Sequence, residues 1–363
     1  PLGAKYGDTY YDKFPITSAR PWLNAPTLRK YWILDNNQRW FPKYGKDEKY
    51  MRIDYAVGFT LQYLLRNSKV RVDVIPALRL TQKVMDMYDL VINQFLDVLI
   101  VPTIKKFEKN DIPHLKLKEL YNKNAHKIYP PVSYSNMIYN KCHYYTWLKS
   151  KKIPTAPTYC VLNPKGTIQQ GRAVIDHALK NKWNLIFAKP NFATDSSWIG
   201  IFDPKDPKTL SKIKTYMKKI DAEKKVFPGI VFQKLMVDFE QTTPQIRTYW
   251  LGNTLLWIIL NDQDDNTYKI SLQSANKYYK NAIGLARRTL KEVSGQFGGM
   301  PKLITRVDLG CCTRIGDKSR YFVNEIEFNP GMYAHLSGHD RGMLDVKMAT
   351  QLVKVVDFVI HRN

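Results

Sequence analysis

The spacing of apolar positions along the chain separates segments typical of helices from segments typical of strands. Apolar residues recur every three to four positions in IDYAVGFTLQYLLRN, GRAVIDHALKNK and LDVKMATQLVKVVDFVIH, which predicts helices. Short runs rich in β-branched and aromatic residues predict strands over NLIFAKP, GIVFQKL, QIRTYWLG, TLLWIIL, KLITRVDLG and RYFVNEIEF. Helices interspersed among strands of this kind predict an α+β fold.

The same pattern divides the chain into four regions. Residues 1–50 show little periodicity and are rich in Tyr, Trp, Pro and Lys, so they predict an N-terminal arm of uncertain structure, either irregular or with a first strand such as KYWILD. Residues 51–130 predict an α/β lobe, with a strand over 70–76 and a second helix over 80–98. The segment KIYPPVSY then interrupts the pattern, and two further regions follow it, 131–235 and 236–363.

Composition describes a globular chain with a large positive charge. With 363 residues, of which 44% are apolar, the protein can bury a sizeable core. Its 56 Lys and Arg residues exceed its 32 Asp and Glu residues, giving a net charge of +24. This charge favours acidic partners such as nucleotides, phosphate-rich molecules, acidic peptides, nucleic acid or an anionic membrane surface. Charge does not choose among these partners, and nothing in the sequence indicates an oligomeric state.

The cysteines and the apolar runs bear on location. Four cysteines form no CxxC pair, and the adjacent Cys311 and Cys312 cannot easily bridge each other. We therefore expect reduced thiols in an intracellular, cytoplasmic protein. The first residues contain no apolar stretch typical of a secretory signal, and the run DLVINQFLDVLIV is interrupted by polar residues, so no transmembrane segment is predicted.

Oxygen-bearing side chains alternate along the predicted strand VNEIEFNPGM. In an extended strand Glu325, Glu327 and Asn329 share one face. A hairpin with the preceding strand ITRVDLG would bring Asp308 against Glu327 and Asn329. Hard oxygen donors of this kind suit Mg²⁺, which is usually bound by one or two carboxylates together with substrate phosphates. The alternative is the solvated polar face of an edge strand.

Two lysines could meet the phosphates that such a metal accompanies. Lys189 ends the predicted strand NLIFAKP and precedes a small polar loop. Lys141 lies earlier, in YNKCHYYTWLKSKKIPTAPT. An ammonium at the end of a buried strand can neutralise a phosphate, although such a lysine is more often a solvated strand end.

The order of these features resembles the ATP-grasp superfamily over roughly residues 131 to 363. The segment from Lys141 to IPTAPT is similar to the family's helix that begins with a phosphate-binding lysine and ends in a GIP-type turn. FAKP is similar to the strand end that carries the second lysine, here Lys189. VFQKLM looks like the hinge strand that clamps adenine, which implies Gln233, Lys234 and Leu235 at the adenine edge.

The resemblance also implies roles for acids and an arginine further along. Glu240 would hold the ribose hydroxyls, with Asp238 as the second choice. Arg247, in QIR, would reach the γ-phosphate or an acyl phosphate and take part in catalysis together with Lys189. The implied metal ligands, for Mg²⁺ or alternatively Mn²⁺, are Asp308, Glu327 and Asn329, whereas Glu325 would be accessory or structural.

The implied architecture is an ATP-grasp fold in which ATP binds between two α+β lobes that follow the N-terminal α/β lobe. Residues 131–235 would form the small lobe and hinge, and residues 236–363 the C-terminal lobe with the magnesium site. Two features depart from the family pattern. The loop NFATDSSW lacks glycines, so hydroxyls of Thr194, Ser196 and Ser197 would have to replace backbone amides, and Gln245 stands where an acid normally precedes IR.

The resemblance implies an ATP-dependent carboxylate-amine ligase that acts through an acyl phosphate, with an acidic small molecule or peptide as substrate. Basic residues in NKYYKNAIGLARR would bind this substrate, namely Lys277, Arg287 and Arg288, unless they are simply a solvated helix face. One alternative is an ATP-grasp kinase that phosphorylates an inositol phosphate. A second is a non-catalytic protein that binds nucleotides or nucleic acid.

Overall fold

The computed structural model describes nine stretches of the chain, and the predicted arm over residues 1–50 lies outside them. These stretches are residues 53–73, 81–92, 114–192, 198–222, 228–236, 245–261, 267–312, 321–328 and 338–361.

The N-terminal region contains short elements around a small parallel sheet. They are helix α1 (Ile53–Leu64), helix α2 (Gln82–Met85), strand β1 (Val91–Ile92), helix α3 (His114–Lys123) and strand β2 (Ile128–Tyr129). β1 pairs in parallel with β2, with Val91 opposite Ile128.

Two predictions for this region need correction. The helix predicted over 80–98 is wrong, because α2 ends after one turn and the β-branched pair Val91 and Ile92 extends to form β1. Residues 93–98 of that prediction lie outside the described residues. No strand forms over residues 70–73, and the rest of the strand predicted over 70–76 also lies outside the described residues.

The middle of the chain forms two helices followed by a four-stranded antiparallel sheet, here called the small-lobe sheet. The helices are α4 (Val132–Tyr139) and α5 (Lys141–Ser150), and the strands are β3 (Thr158–Leu162), β4 (Ile186–Pro190), β5 (Gly200–Phe202) and β6 (Gly229–Lys234). The strand order is β3-β6-β4-β5. Two helices of this lobe pack against each other, α6 (Ile168–Lys180) and α7 (Thr209–Ala222).

The last third of the described chain forms a five-stranded antiparallel sheet, here called the C-terminal sheet. Its strands are β7 (Gln245–Leu251), β8 (Thr254–Asn261), β9 (Thr267–Ile270), β10 (Ile304–Cys311) and β11 (Tyr321–Phe328), in the order β11-β10-β7-β8-β9. Its helices are α8 (Leu272–Tyr278), α9 (Lys280–Ser294) and α10 (Gly338–Ile360).

Glycine at position 310 fits the pairing of β10 with β11. Gly310 lies opposite Phe322, and a Cβ at position 310 would come within 2.3 Å of the Phe322 ring. The ring therefore packs over the glycine, as cross-strand neighbours in a sheet do.

Buried side chains form two large apolar clusters. The larger cluster joins the C-terminal sheet to α9 and α10, and it also takes in the buried faces of α4 and α5; its members include Val307, Leu309, Ile326, Leu290, Val293, Leu352, Tyr134 and Leu148. The smaller cluster lies inside the small lobe and includes Val174, Ile213, Met217, Ile230 and Phe232. Each sheet therefore has a core of its own.

Segments that precede the small-lobe sheet contact β11, which is an edge strand of the C-terminal sheet. The amide of Val323 donates to the carbonyl oxygen of Pro154 at 2.8 Å, and Thr155 forms a parallel bridge with the same residue. The hydroxyl of Tyr145 donates to the carbonyl oxygen of Asn324. The turn after α5 and α5 itself are thus attached directly to β11.

The expectation of four reduced thiols is wrong for one pair. Cys142, in the first turn of α5, forms a disulfide with Cys160 on β3, and their Cα atoms are 5.9 Å apart. Cys311 and Cys312 are buried thiols. Of the helices in the described stretches, none is both long enough and apolar enough to cross a bilayer.

Candidate functional site

Charged side chains lie together on one face of the C-terminal sheet. Side chains alternate between the two faces along each strand, and the strand register places the charged ones opposite one another. Arg306 and Asp308 point to the same face of β10. Asp308 lies opposite Arg247 on β7 and opposite Glu325 on β11, while Arg306 lies opposite Glu327. The predicted hairpin forms, but its register places Glu325, and not Glu327, directly across from Asp308.

Three carboxylates converge on this face. One oxygen from each of Asp308, Glu325 and Glu327 lies within 4.8 Å of the others. Carboxylate oxygens are the kind of donor that Mg²⁺ prefers, so these three side chains are a candidate metal site. Sequence analysis treated Glu325 as accessory or structural, whereas the structure places it in this group. The third predicted ligand, Asn329, lies outside the described residues.

Sequence analysis missed Arg306, which connects the carboxylates. Its Nε and one terminal nitrogen lie 2.7 and 2.8 Å from the two oxygens of Asp308, and the same terminal nitrogen lies 2.6 Å from Glu327. Burial disfavours the charged guanidinium, but Asp308 and Glu327 outweigh this effect and raise the pKa of Arg306. The alternation in TRVD was the available signal, because it puts Arg306 on the same strand face as Asp308.

Gln245 takes the position of the acid that the resemblance implies before IR. Its Oε1 accepts a hydrogen bond of 2.8 Å from Arg247 Nε, and its Nε2 lies 3.5 Å from Asp308. Arg247 Nε is 4.0 Å from the same Asp308 carboxylate. The amide therefore contacts a cation through its oxygen and an anion through its nitrogen, which a carboxylate at this position could not do.

Lys141 begins α5 and faces the carboxylates. Its backbone amide donates to the carbonyl oxygen of Asn191, and its buried ammonium forms a 3.0 Å salt bridge with Glu325. Burial lowers the pKa of Lys141, but Glu325 more than offsets this and the net shift is upward. Burial likewise opposes ionisation of Glu325, yet the attraction of Lys141, with Lys189 and Arg306, lowers its pKa to about 2.

Lys189 reaches the same region from β4 in the small-lobe sheet. Its ammonium lies 3.2 Å from the hydroxyl of Tyr145 and above two aromatic rings, 5.5 Å from the centroid of Tyr145 and 5.6 Å from that of Phe187. The structure therefore brings both predicted lysines to the contact between α5, β4 and β11.

Some backbone groups at the predicted adenine edge already form hydrogen bonds within the protein. The amide of Lys234 donates to Pro157, and the amide of Leu235 donates to Leu185. The buried side chain of Gln233 donates to the hydroxyl of Thr158 at 3.0 Å. The roles of these three residues stay predictions. The ribose candidates Glu240 and Asp238, and the loop hydroxyls of Thr194, Ser196 and Ser197, lie outside the described residues.

The predicted substrate-binding residues do not join the carboxylate group. Lys277, Arg287 and Arg288 are exposed on α8 and α9. The guanidinium of Arg287 lies 5.7 Å from the ring centroid of Trp250, whose side chain lies on the face of the sheet opposite Asp308. Their role in substrate binding stays a prediction.

Several solved structures are similar to this chain in fold. D-cycloserine synthetase DcsG matches over 83% of this chain and 95% of its own, with a TM-score of 0.59 and 14% identity. The ATP-grasp ligase PsnB matches over 65% of this chain and 66% of its own, with a TM-score of 0.40 and 13% identity. This chain has the ATP-grasp fold. The match to D-cycloserine synthetase DcsG thereby confirms the predicted α+β fold class.

Other matches to this ATP-grasp chain include D-alanyl-alanine synthetase A from Vibrio cholerae. That match covers 68% of this chain and 72% of the other, with a TM-score of 0.48 and 12% identity. No protein-family model matches the sequence, and the search of curated proteins gives no match. At these identities the similarity establishes the fold, and the chemistry has to be argued from the site.

Proposed function

We propose that this chain is an ATP- and Mg²⁺-dependent ligase that joins a carboxylate to an amine through an acyl phosphate. The observation that carries the proposal is that two lysines and three carboxylates face one another between the lobes of an ATP-grasp fold. Lys141 and Glu325 are in direct contact, so the cationic and anionic halves belong to one site. The matched structures support it, because their names describe ligases and synthetases, one of them solved with Mg and ADP.

Each charged group has a role in this proposal that follows from its position. Lys141 and Lys189 would neutralise the phosphates of ATP, and Arg247 would stabilise the charge that develops on the transferred phosphoryl group. Asp308, Glu325 and Glu327 would hold Mg²⁺, which when bound would supply positive charge to the phosphates of ATP. Catalysis in such a site consists mainly of positioning and charge stabilisation.

Arg306 orients two of these three carboxylates. Because one guanidinium contacts both Asp308 and Glu327, the two carboxylates have fixed orientations without a metal ion. Fixed ligands reduce the reorganisation needed when a metal arrives. The acidic nature of the substrate rests on the +24 charge of the chain, which attracts anions to its surface.

The test follows the γ-phosphate. Purified protein is incubated with γ-labelled ATP, Mg²⁺ and a small-molecule and peptide extract of its host, and the labelled products are separated. We expect free phosphate that appears only with extract, together with a new amide found by mass spectrometry. A matched control is the double variant Asp308→Asn with Glu327→Gln, which should release none.

The alternatives predict different products. Label in an organic phosphate would replace the ligase by a kinase acting on an acceptor such as an inositol phosphate. ATP binding without any transfer, with the same result for the double variant, would indicate a non-catalytic nucleotide-binding protein. Binding of nucleic acid in place of ATP would overturn the proposal.

A further inference from the structure

Tyr145 occupies an unusual place between the two lobes. It lies in the second turn of α5 and is 2% exposed, yet its hydroxyl makes polar contacts in two directions. It accepts a hydrogen bond from the ammonium of Lys189 on β4 and donates one to the carbonyl oxygen of Asn324 on β11. One side chain thus connects the small-lobe sheet to the strand that carries Glu325 and Glu327.

Lys189 depends on this contact for its position. A lysine side chain has several rotatable bonds, so fixing its ammonium costs conformational entropy unless contacts compensate. Within the described stretches the ammonium has no carboxylate at salt-bridge distance, and its contacts are the Tyr145 hydroxyl and the rings of Tyr145 and Phe187. A phenol whose proton is donated to a carbonyl presents its lone pairs to the ammonium, so the direction of the contact is defined.

The two lysines are therefore held by different chemistry. Lys141 is held by a carboxylate, which neutralises it and must exchange with any incoming phosphate. Lys189 is held by a neutral hydroxyl and by ring faces, which orient the ammonium without forming a salt bridge to it.

We propose that Tyr145 is the positioning residue of Lys189, which fixes the Lys189 ammonium at the phosphate site and ties its location to β11. This inference rests on the proposed function, because it assumes that Lys189 binds a phosphate of ATP. Tyr145 acts through Lys189 and Asn324 and does not itself contact the nucleotide.

The test compares two tyrosines that lose the same atom. Tyr145→Phe removes the hydroxyl between Lys189 and Asn324. Tyr129→Phe is the matched control, because the Tyr129 hydroxyl is also on a buried side chain and also donates to a backbone carbonyl, that of Pro301. The probe is a non-hydrolysable ATP analogue with Mg²⁺, measured by calorimetry, and KM for ATP and kcat are measured alongside.

We expect Tyr145→Phe to weaken binding of the analogue and raise KM for ATP about tenfold, the effect of one hydrogen bond to a charged group, with a smaller change in kcat. Tyr129→Phe should bind as the wild type does. In a Lys189→Ala background, Tyr145→Phe should have no further effect, because the group it positions is gone. A purely structural role would weaken binding equally in both backgrounds.

A second variant keeps the inference open to refutation if Tyr145→Phe fails to fold. Lys189→Arg retains the charge but moves it, so it should lose about as much affinity as Tyr145→Phe. Wild-type affinity in either Tyr145→Phe or Lys189→Arg would overturn the positioning role. Absence of analogue binding to the wild type would overturn the proposed function together with this inference. Binding without ligase products would overturn only the ligase assignment, since the positioning role is scored on affinity.

Discussion

The two sides of the candidate site hold their charges in different ways. On the C-terminal sheet, Arg306, Asp308 and Glu327 contact one another across β10 and β11, so the strand register fixes them. On the small-lobe side, Lys189 is fixed by a phenol from another element, 44 residues away in sequence. The three residues on the C-terminal sheet are therefore held by local pairing within that sheet, whereas the position of Lys189 depends on how the lobes are joined.

The largest effect should come from a change among the ion-paired residues of the C-terminal sheet. Asp308→Asn removes the charge of one of the two carboxylates that contact the buried Arg306, and breaking a buried ion pair costs about 4 kcal/mol. Chemical unfolding would measure the free energy of unfolding, and ATP turnover should also be lost. Asp206→Asn is the control, because the Asp206 to Lys212 pair is exposed and its removal should not be detected. Equal effects of the two changes on the free energy of unfolding would contradict the conclusion that Arg306 and Asp308 form a stabilising ion pair.

A second change should show whether the two lobes unfold independently. Ile213 is fully buried in the small-lobe core, and Ile213→Ala should lower the stability of that lobe by about 3 kcal/mol through the cavity it leaves. Hydrogen exchange should quicken in β4 and β6 and stay unchanged in β10, because each sheet has its own core. Ile201→Ala is the control, since Ile201 is 54% exposed. Faster exchange in β10 to the same extent would show that the lobes unfold together.

The ion pair that joins the two sides should have an intermediate effect that depends on pH. Glu325→Gln removes the salt bridge to the buried Lys141, and because Glu325 is 26% exposed we expect a loss of about 2 kcal/mol at neutral pH. The pKa of Glu325 is lowered from 4.5 to about 2, so its stabilisation is complete above pH 4.5 and is lost as pH falls toward 2.

Unfolding at several pH values would check this prediction. The difference between the wild type and Glu325→Gln should be constant above pH 4.5 and should shrink between pH 4.5 and 2. Glu292→Gln, which removes an exposed partner of Lys151, should show no such trend. A difference that does not change with pH would mean that the charge of Glu325 is not what stabilises the contact.

The smallest change should sharpen the role of Gln245. Gln245→Glu restores the acid usual before IR and adds a negative charge beside Asp308, where the amide nitrogen lies at 3.5 Å. Attraction to Arg247 and repulsion from Asp308 largely cancel, so stability should change by less than about 1 kcal/mol. The additional charge should strengthen Mg²⁺ binding about threefold, measured as the Mg²⁺ concentration for half-maximal turnover. Weaker Mg²⁺ binding would show that the amide is required at this position.

Alternation along the strands was sufficient to predict the α+β class and the charged face that holds Asp308 and Glu327. It could not give the register, because the hairpin has an irregularity between Asp308 and Leu309 and its register depends on the intervening turn. The exchange of Glu327 for Glu325 opposite Asp308 follows from this.

Contacts between residues far apart in the sequence could not be predicted either. The hydroxyl of Tyr145 meets Lys189 and the carbonyl of Asn324, 179 residues away from it, while its local pattern resembles that of an ordinary core residue. Cysteine spacing likewise could not show that α5 and β3 are adjacent, which is why the Cys142 to Cys160 disulfide was not anticipated. Helix α7 was also missed, although the spacing of its apolar residues in TLSKIKTYMKKIDA was a usable signal.

The attachment of α5 and its following turn to β11 also bears on self-association. An edge strand exposes backbone groups that can pair with a second chain. Here the amide of Val323 and the carbonyl of Asn324 are already bound to Pro154 and Tyr145 of the same molecule. The contacts that attach α5 and its following turn to β11 therefore also occupy two backbone groups of the open sheet edge, and we expect changes that detach α5 to favour oligomers.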